Sequence, residues 1–404
     1  MITNKQKQLV KDTAPILREH GLVLTSHFYR RMFTHHPELK NVFNMGNQQS
    51  GKQQTALALA VLAYAENIED PSVLASPVTK IGHKHVSLDI RPEHYAIVGK
   101  HLLASIREVL GDAASDELID AWAVAYSQLA ALMTGVEATL YSQAIAKEGG
   151  WTGWRPFQVK EKVKESEEIT SFYLYPADGG KVADFLPGQF VSVRLFLPEL
   201  NLFQPRQYSI SNAPNGEYYR ISVKKETGAN IRPNGMISNR LHEHVKEGDI
   251  LEMASPAGDF ILDTSKEGPV VLISGGVGQT PLISMLEYLI STSSHRDVVW
   301  IHGARNMAVH AFKEQITSLK DQREQFQSHI FYDVLDESLP LEEYYPGVVD
   351  LQQISHEVIL PDAQYYICGP APFIEKQYKD LVKLGIEKSH IHYEEFGPNV
   401  LALP

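Results

Sequence analysis

The chain has 404 residues, too many for one ordinary core, and length alone predicts two or three domains. A hydrophobic content of 43% with 21% charged residues is that of a globular protein, not a disordered one. The net charge of -12 disfavours a nucleic-acid partner, and no local basic patch offsets it.

No apolar run reaches the roughly 18 residues that a membrane span needs, so no membrane span is predicted. The start, MITNKQKQLVKDT, is polar and lacks the apolar stretch of a signal peptide. A single cysteine, Cys368, excludes an intrachain disulfide and a four-cysteine iron–sulfur or zinc site. Together these features predict a cytoplasmic protein, and a monomer is expected. Residues 1–140 hold 7 of the 27 glycines and 5 of the 22 prolines, so the first third should be helical and the rest strand-rich. Between them Lys147-Glu148-Gly149-Gly150-Trp151-Thr152-Gly153 reads as a linker.

In the first third, Pro92 followed by Glu93 marks a helix start, with proline in the first turn and an acid near its positive end. Ser115-Asp116-Glu117 marks another, a capping serine followed by acids. After it Leu118, Trp122, Tyr126, Leu129, Met133 and Val136 recur at helical steps and form one apolar face. Glu137 falls on that face, where a carboxylate is costly unless paired. Taken alone, it is expected near the helix end, reaching out to solvent.

His85 shares a face with Val78, Ile81 and Leu88, whereas His20, His35, His36 and His94 stand in polar surroundings. A histidine so placed is either a satisfied core residue or a ligand. Phe28, Tyr29, Met32, Phe33 and Phe43 gather aromatic surface on an early helix and its following turn, and Gln53 and Leu57 lie one turn apart on a second. One imidazole, an apolar slot and a few polar donors are the parts of a haem site.

With HFYRRMFTHHPELKNVFNM, KIGHKH and RPEHYAIVGKHLL, residues 1–145 resemble the globin domain of flavohaemoglobins. The resemblance implies haem b with His85 as proximal iron ligand and Phe43 packed on the porphyrin. It makes Tyr29, Gln53 and Leu57 the distal residues around bound oxygen, and Tyr95 and Glu137 the pair that hydrogen-bonds the proximal imidazole. A carboxylate on that imidazole makes it more anionic and pushes electron density onto iron, which favours oxygen activation over storage.

From Phe157 onward short strands alternate with turns, as at 169–175, 189–195, 218–224 and 249–253. Pro187-Gly188-Gln189-Phe190, Arg206-Gln207-Tyr208-Ser209 and Gly235-Met236-Ile237-Ser238-Asn239 together resemble the flavin-binding barrel of the ferredoxin–NADP reductase superfamily. The resemblance places Arg206 at the FAD pyrophosphate, Tyr208 on the isoalloxazine and Ser209 near its reactive nitrogen. Gln207 belongs to the same flavin-side set, and Gly235 to Ser238 offer backbone N–H groups at a helix start.

The last third alternates strand and helix. A buried strand at 270–274 runs into Gly275-Gly276-Val277-Gly278-Gln279-Thr280-Pro281 and then an apolar helix from Leu282. A glycine-rich turn of this kind lets backbone approach a phosphate, or is simply a tight turn. The strand 298–302, Cys368-Gly369-Pro370 and Glu394-Glu395-Phe396-Gly397-Pro398 follow in the order of the superfamily's nicotinamide-binding half. By that resemblance Gly276 to Pro281 cradle NAD(P)H, Cys368 to Pro370 approach the nicotinamide and Phe396 covers the flavin. Cys368 reads equally well as a small buried strand-end residue. Lys84 and Glu394 match charges that tune the haem–flavin contact. Phe190 stands where many members have tyrosine, and Glu395 where some have cysteine. Arg305, just after a strand, is either a reader of a ribose 2′-phosphate or plain surface.

The expected architecture is therefore an all-α globin (1–145), a linker (146–153), an antiparallel β-barrel for FAD (154–264) and an α/β parallel-sheet domain for NAD(P)H (265–404). The resemblance implies a nitric oxide dioxygenase: NAD(P)H reduces FAD, FAD reduces haem b, and haem-bound O2 oxidises NO to nitrate. An oxygen-binding or sensing haemoglobin with a built-in reductase, and a flavin-dependent reductase of oxygen or hydroperoxides, are the alternatives.

Overall fold

The computed structural model describes residues 2–228, 234–335 and 344–397. Pro398, one of the expected flavin-side residues, lies outside the described residues. The first third folds as helices α1 (Asn4–Asp12), α2 (Ala14–His35), α3 (Met45–Gln49), α4 (Lys52–Glu66), α5 (Ala75–Val86), α6 (Pro92–Leu110) and α7 (Asp116–Ala146). The two predicted starts hold: Pro92 opens α6, and Ser115 Oγ accepts from Leu118 N at 3.2 Å to cap α7. α2 packs on α4 and α6, and α5 on α7, around Leu24, Phe28, Met32, Tyr64 and Trp122. Glu137 does not reach solvent at a helix end. α7 continues well past it to Ala146, and the residue is 2% exposed. None of the described helices is long and apolar enough to cross a membrane.

Strands β1 (Arg155–Lys164), β2 (Ile169–Pro176), β3 (Phe190–Leu197), β4 (Leu202–Ser209), β5 (Tyr219–Lys224) and β6 (Ile250–Met253) form an antiparallel sheet in the order β4-β3-β6-β1-β2-β5. The bridge Ile210↔Ile221 and the Ser211 N to Arg220 O bond of 2.7 Å join its two edges and curl it into a barrel. Phe157, Phe172, Val191 and Ile221 fill its interior, and helix α8 (Met236–Glu243) packs beside β4 and β5.

The remaining chain is a parallel sheet: β7 (Val270–Gly275), α9 (Gln279–Ser291), β8 (Val298–Ala304), α10 (Lys313–Asp321), β9 (Phe326–Tyr332), β10 (Tyr344–Pro346), α11 (Ser355–Val358), β11 (Gln364–Gly369), α12 (Ala371–Lys383) and β12 (Ile391–Glu395). The strand order β10-β9-β8-β7-β11-β12 reverses between β7 and β11. Both faces of β7 are covered, Leu272 on one and Val271 and Ile273 on the other, as a doubly wound sheet requires. α9 begins at Gln279, earlier than the predicted Leu282. Pro281 is tolerated because it sits in the first turn, where an N–H has no intrahelical partner.

Candidate functional site

Three groups of side chains define the site. In the first, α5 carries His85 towards α6 and α7. His85 Nδ1 lies 2.7 Å from Glu137 Oε1 and 3.0 Å from the Tyr95 hydroxyl, and Tyr95 donates to the same carboxylate oxygen at 2.5 Å. Glu137 Oε2 is buried with no hydrogen-bond partner among the described residues. A carboxylate acceptor fixes the proton on Nδ1 and leaves the Nε2 lone pair available to a metal. Burial, and then Glu137, push the Tyr95 phenol far above its ordinary range, so it serves as a donor. Among the described residues no group of three or more His, Cys, Asp or Glu side chains could hold an ion. A single imidazole suits an iron whose other ligands arrive with a macrocycle, and the donor set therefore fits haem.

The distal set comes from α2, α4 and the segment between them. Tyr29 is buried, with its ring 5.7 Å from Phe43 and 5.8 Å from Phe33. Phe43 and Leu57 pack against the globin core but remain half-buried. Burial raises the Tyr29 phenol well above its ordinary value, and hydrogen bonds with Gln53 and Gln48 work against that rise. Gln48, which sequence reasoning missed, is a buried side chain on the five-residue α3, too short an element to show a periodicity.

In the second group, Arg206 lies on β4 with Gln207, Tyr208 and Ser209. Its guanidinium donates to Pro205 O at 2.6 Å and has no carboxylate within ion-pair distance among the described residues. Burial lowers its pKa. A half-buried cation without a counter-charge, in a protein of net charge -12, fits an anionic ligand such as the FAD pyrophosphate. Tyr208 is half-buried and its phenol is raised by burial, while Ser209 is buried opposite Phe190 in the β3–β4 ladder. Gly235 is the N-cap of α8, and Ser238 Oγ accepts from Glu226 N at 3.2 Å. The Gln207 amide donates to Ser87 Oγ at 2.9 Å, joining barrel to globin.

In the third group, Gly276 (φ +56°), Val277 and Gly278 make the turn from β7 into α9. A Cβ on Gly278 would stand 2.2 Å from Cys368 O, so only glycine lets the turn lie against the end of β11. This is the crevice where the strand order reverses, the usual ligand position of such sheets. Gln279 is fully buried with both amide atoms unpartnered among the described residues, and Thr280 donates to Val277 O at 3.1 Å. Cys368 is buried beside Gly369 and Pro370, and burial raises its thiol well above its usual range. Phe396 is 44% exposed at the end of β12.

Lys84 and Glu394 meet at the junction, but not as one pair. Lys84 Nζ donates to Gly397 O at 2.6 Å, while Lys80, one turn earlier on α5, lies 3.6 Å from Glu394. Burial lowers the Lys84 pKa to about 8 and raises that of Glu394, the neighbouring opposite charges acting the other way. Glu395 stands beside Glu394 on the same strand. The Lys80 partnership was missed, although the four-residue spacing put both lysines on one face.

Family models match in the same order as the three folds: globin over residues 26–133, oxidoreductase FAD-binding domain over 156–261 and oxidoreductase NAD-binding domain over 272–379. A flavohemoprotein of Bordetella pertussis is 55% identical over 406 residues, covering 100% of both chains. One of Bacillus cereus is 46% identical over 400 residues, covering 98% of this chain and 99% of that protein. A solved flavohemoglobin of Malassezia yamatoensis with bound FAD and heme superposes with a TM-score of 0.86 over 98% of this chain and 100% of its own, at 24% identity, and shares the fold. The flavohem-like FAD/NAD-binding domain of a Vibrio cholerae nitric oxide dioxygenase is 39% identical, with a TM-score of 0.55 over 60% of this chain and 99% of its own.

Proposed function

Since the chain belongs to the flavohemoprotein family, an oxidoreductase built on haem, FAD and a nicotinamide dinucleotide, we propose that it is a nitric oxide dioxygenase. It takes electrons from NAD(P)H and converts nitric oxide and dioxygen to nitrate. When bound, flavin splits a hydride into single electrons and haem iron uses them to activate dioxygen. The observation that carries the reading is the Glu137 carboxylate 2.7 Å from His85 Nδ1. A charge-assisted bond to the imidazole strengthens its donation to iron, which an oxygen store does not need.

The chain's own groups then have separable tasks. His85 holds the iron, Glu137 takes the Nδ1 proton's hydrogen bond, and Tyr95 orients that carboxylate. On the other side the Tyr29 phenol, kept protonated by burial, donates to the reacting oxygen and is aimed by Gln53. Leu57 and Phe43 exclude water. Arg206, Tyr208, Ser209 and the start of α8 hold the flavin. The Gly276–Gly278 turn, Gln279, Thr280 and Pro281 take the dinucleotide phosphates against Cys368 to Pro370. Globin and reductase on one chain keep the electron donor at high effective concentration. The division into 1–145, 154–264 and 265–404 is part of this reading.

The test is stopped flow on haem- and FAD-loaded protein reduced with NADH and mixed with O2 and then nitric oxide. Catalytic loss of nitric oxide with stoichiometric nitrate, lost in Tyr29→Phe, is expected. A stable oxygenated spectrum with little nitric oxide consumption would instead make the chain an oxygen binder.

A further inference from the structure

The end of β8 carries a charged device that the reaction above does not use. β8 pairs directly with β7, the strand that runs into the glycine turn, and in doubly wound sheets the carboxyl end of that neighbouring strand faces the adenosine ribose of a dinucleotide. Here β8 ends at Ala304, followed by Arg305 and Asn306. The turn is braced. Asn306 Oδ1 accepts from Ala308 N at 3.1 Å and Val309 N at 3.3 Å, while Ala304 O and Arg305 O accept from Asp333 N at 3.1 Å and Val334 N at 2.9 Å. The Arg305 side chain is 60% exposed, and its guanidinium is ion-paired with Glu168.

Glu168 does not belong to the nucleotide domain. It lies in the turn between β1 and β2 of the flavin barrel, and that turn is docked on the nucleotide domain through Glu167 N to Ala308 O at 3.0 Å. Its backbone carbonyl accepts from Lys225 N at 2.7 Å, and its carboxylate also stands 3.9 Å from Lys224 Nζ. A guanidinium at this position is the group that would grip a ribose 2′-phosphate through paired donors. With a carboxylate already paired to one nitrogen of that guanidinium, the phosphate must displace an anion or sit beside it.

We propose that Glu168 and Arg305 together set the choice of dinucleotide: the barrel's carboxylate masks the guanidinium and repels a 2′-phosphate, so the chain prefers NADH. The inference rests on reading the Gly276–Gly278 turn as the dinucleotide cradle. It places a specificity residue in a domain that does not itself carry that cradle, and the docking of the β1–β2 turn becomes part of nucleotide selection.

The test uses the full-length, haem- and FAD-loaded protein. Calorimetric binding of 2′,5′-ADP and of 5′-AMP is compared with KM for NADPH and NADH, ferricyanide serving as electron acceptor. Wild type should favour NADH. Glu168→Gln should bind 2′,5′-ADP about tenfold tighter, roughly the worth of one charge-assisted hydrogen bond, and lower KM for NADPH similarly, with 5′-AMP and NADH unchanged. Adding Arg305→Ala should abolish the gain. Unaltered 2′,5′-ADP affinity in Glu168→Gln, or an equal change for 5′-AMP, overturns the proposal. A wild type that binds neither nucleotide and reduces no ferricyanide with NADH or NADPH overturns the cradle reading itself, a distinguishable result.

Discussion

Glu137 shows how much one buried atom can decide. Its Oε1 receives both the His85 and the Tyr95 hydrogen bonds while Oε2 has no partner among the described residues, so the carboxylate is dedicated to the imidazole. Glu137→Gln keeps the shape and removes the charge. The iron–histidine stretching frequency of the ferrous protein should fall, and nitric oxide turnover should drop about 10- to 100-fold, the usual cost of losing such an outer partner. An unchanged stretching frequency would show that the carboxylate does not act through the iron. Gly278 makes a different point at the same scale. Gly278→Ala drives a methyl into Cys368 O, so the glycine turn must move off the end of β11. NADH-driven ferricyanide reduction should fall while the haem spectrum stays as in wild type; equal damage to both would mean general misfolding.

At the scale of elements, the strand β8 and the loop behind it bury a histidine pair unrelated to the iron. His302 and His310 stack with ring centroids 4.6 Å apart, His302 beside Ser274 Oγ at 2.8 Å and His310 beside the Tyr332 hydroxyl at 2.7 Å. Burial lowers both pKa values, that of His310 to about 3, and the partner's proximity lowers His302 further. The native state thus holds both rings neutral, whereas the unfolded chain protonates them below about pH 6.5. The unfolded state binds more protons in that window, so stability is fully present above it and is lost as pH falls from about 6.5 towards the folded pKa near 3. Urea unfolding followed by the fluorescence of Trp300, buried on β8, should show the midpoint dropping between pH 7 and 5. His310→Gln should flatten that slope; an identical slope in wild type and variant would refute the assignment.

Elements also show where sequence patterning stops informing. The helix starts at Pro92 and Ser115 are written in local chemistry, because a cap and its first turn lie within four residues. The apolar stripe of α7 likewise put Glu137 on the apolar face, but its partners His85 and Tyr95 come from other helices, so the pattern alone sent the carboxylate to solvent and only the family resemblance supplied the pair. The start of α9 was misplaced because proline is a breaker in the interior and harmless in the first turn, which the residue type alone does not distinguish. Gln48 left no trace at all. It belongs to a five-residue helix with no repeat, and a lone glutamine carries no signal of the phenol it meets.

At the scale of the whole molecule, globin and barrel are held together by polar contacts that no periodicity records. Gln204, fully buried on β4, accepts from Met45 N at 3.0 Å and donates to Lys40 O at 2.8 Å and Phe43 O at 3.3 Å. Phe203 N to Asn41 Oδ1 at 2.8 Å, Gln207 to Ser87 and Gly258 N to His83 Nδ1 at 3.1 Å extend the seam. One side chain thereby ties the backbone beside Phe43, on the proposed haem slot, to the strand that carries Arg206. Gln204→Ala leaves three globin backbone groups, and Phe203 O on its own strand, without this partner, a loss of about 1–3 kcal/mol for each group left buried and unsatisfied. The domains should separate more readily at this seam without either losing its own core. Electron transfer from reduced flavin to ferric haem, followed by stopped flow at the haem Soret band, should slow about tenfold or more, since each 1.4 kcal/mol of lost docking is a tenfold change in the docked population. NADH-to-ferricyanide turnover and FAD content should stay near wild type, because Gln204 faces the globin. If haem reduction keeps its rate, the seam is passive packing. If FAD is lost as well, Gln204 acts through Arg206 instead, two residues along the same strand.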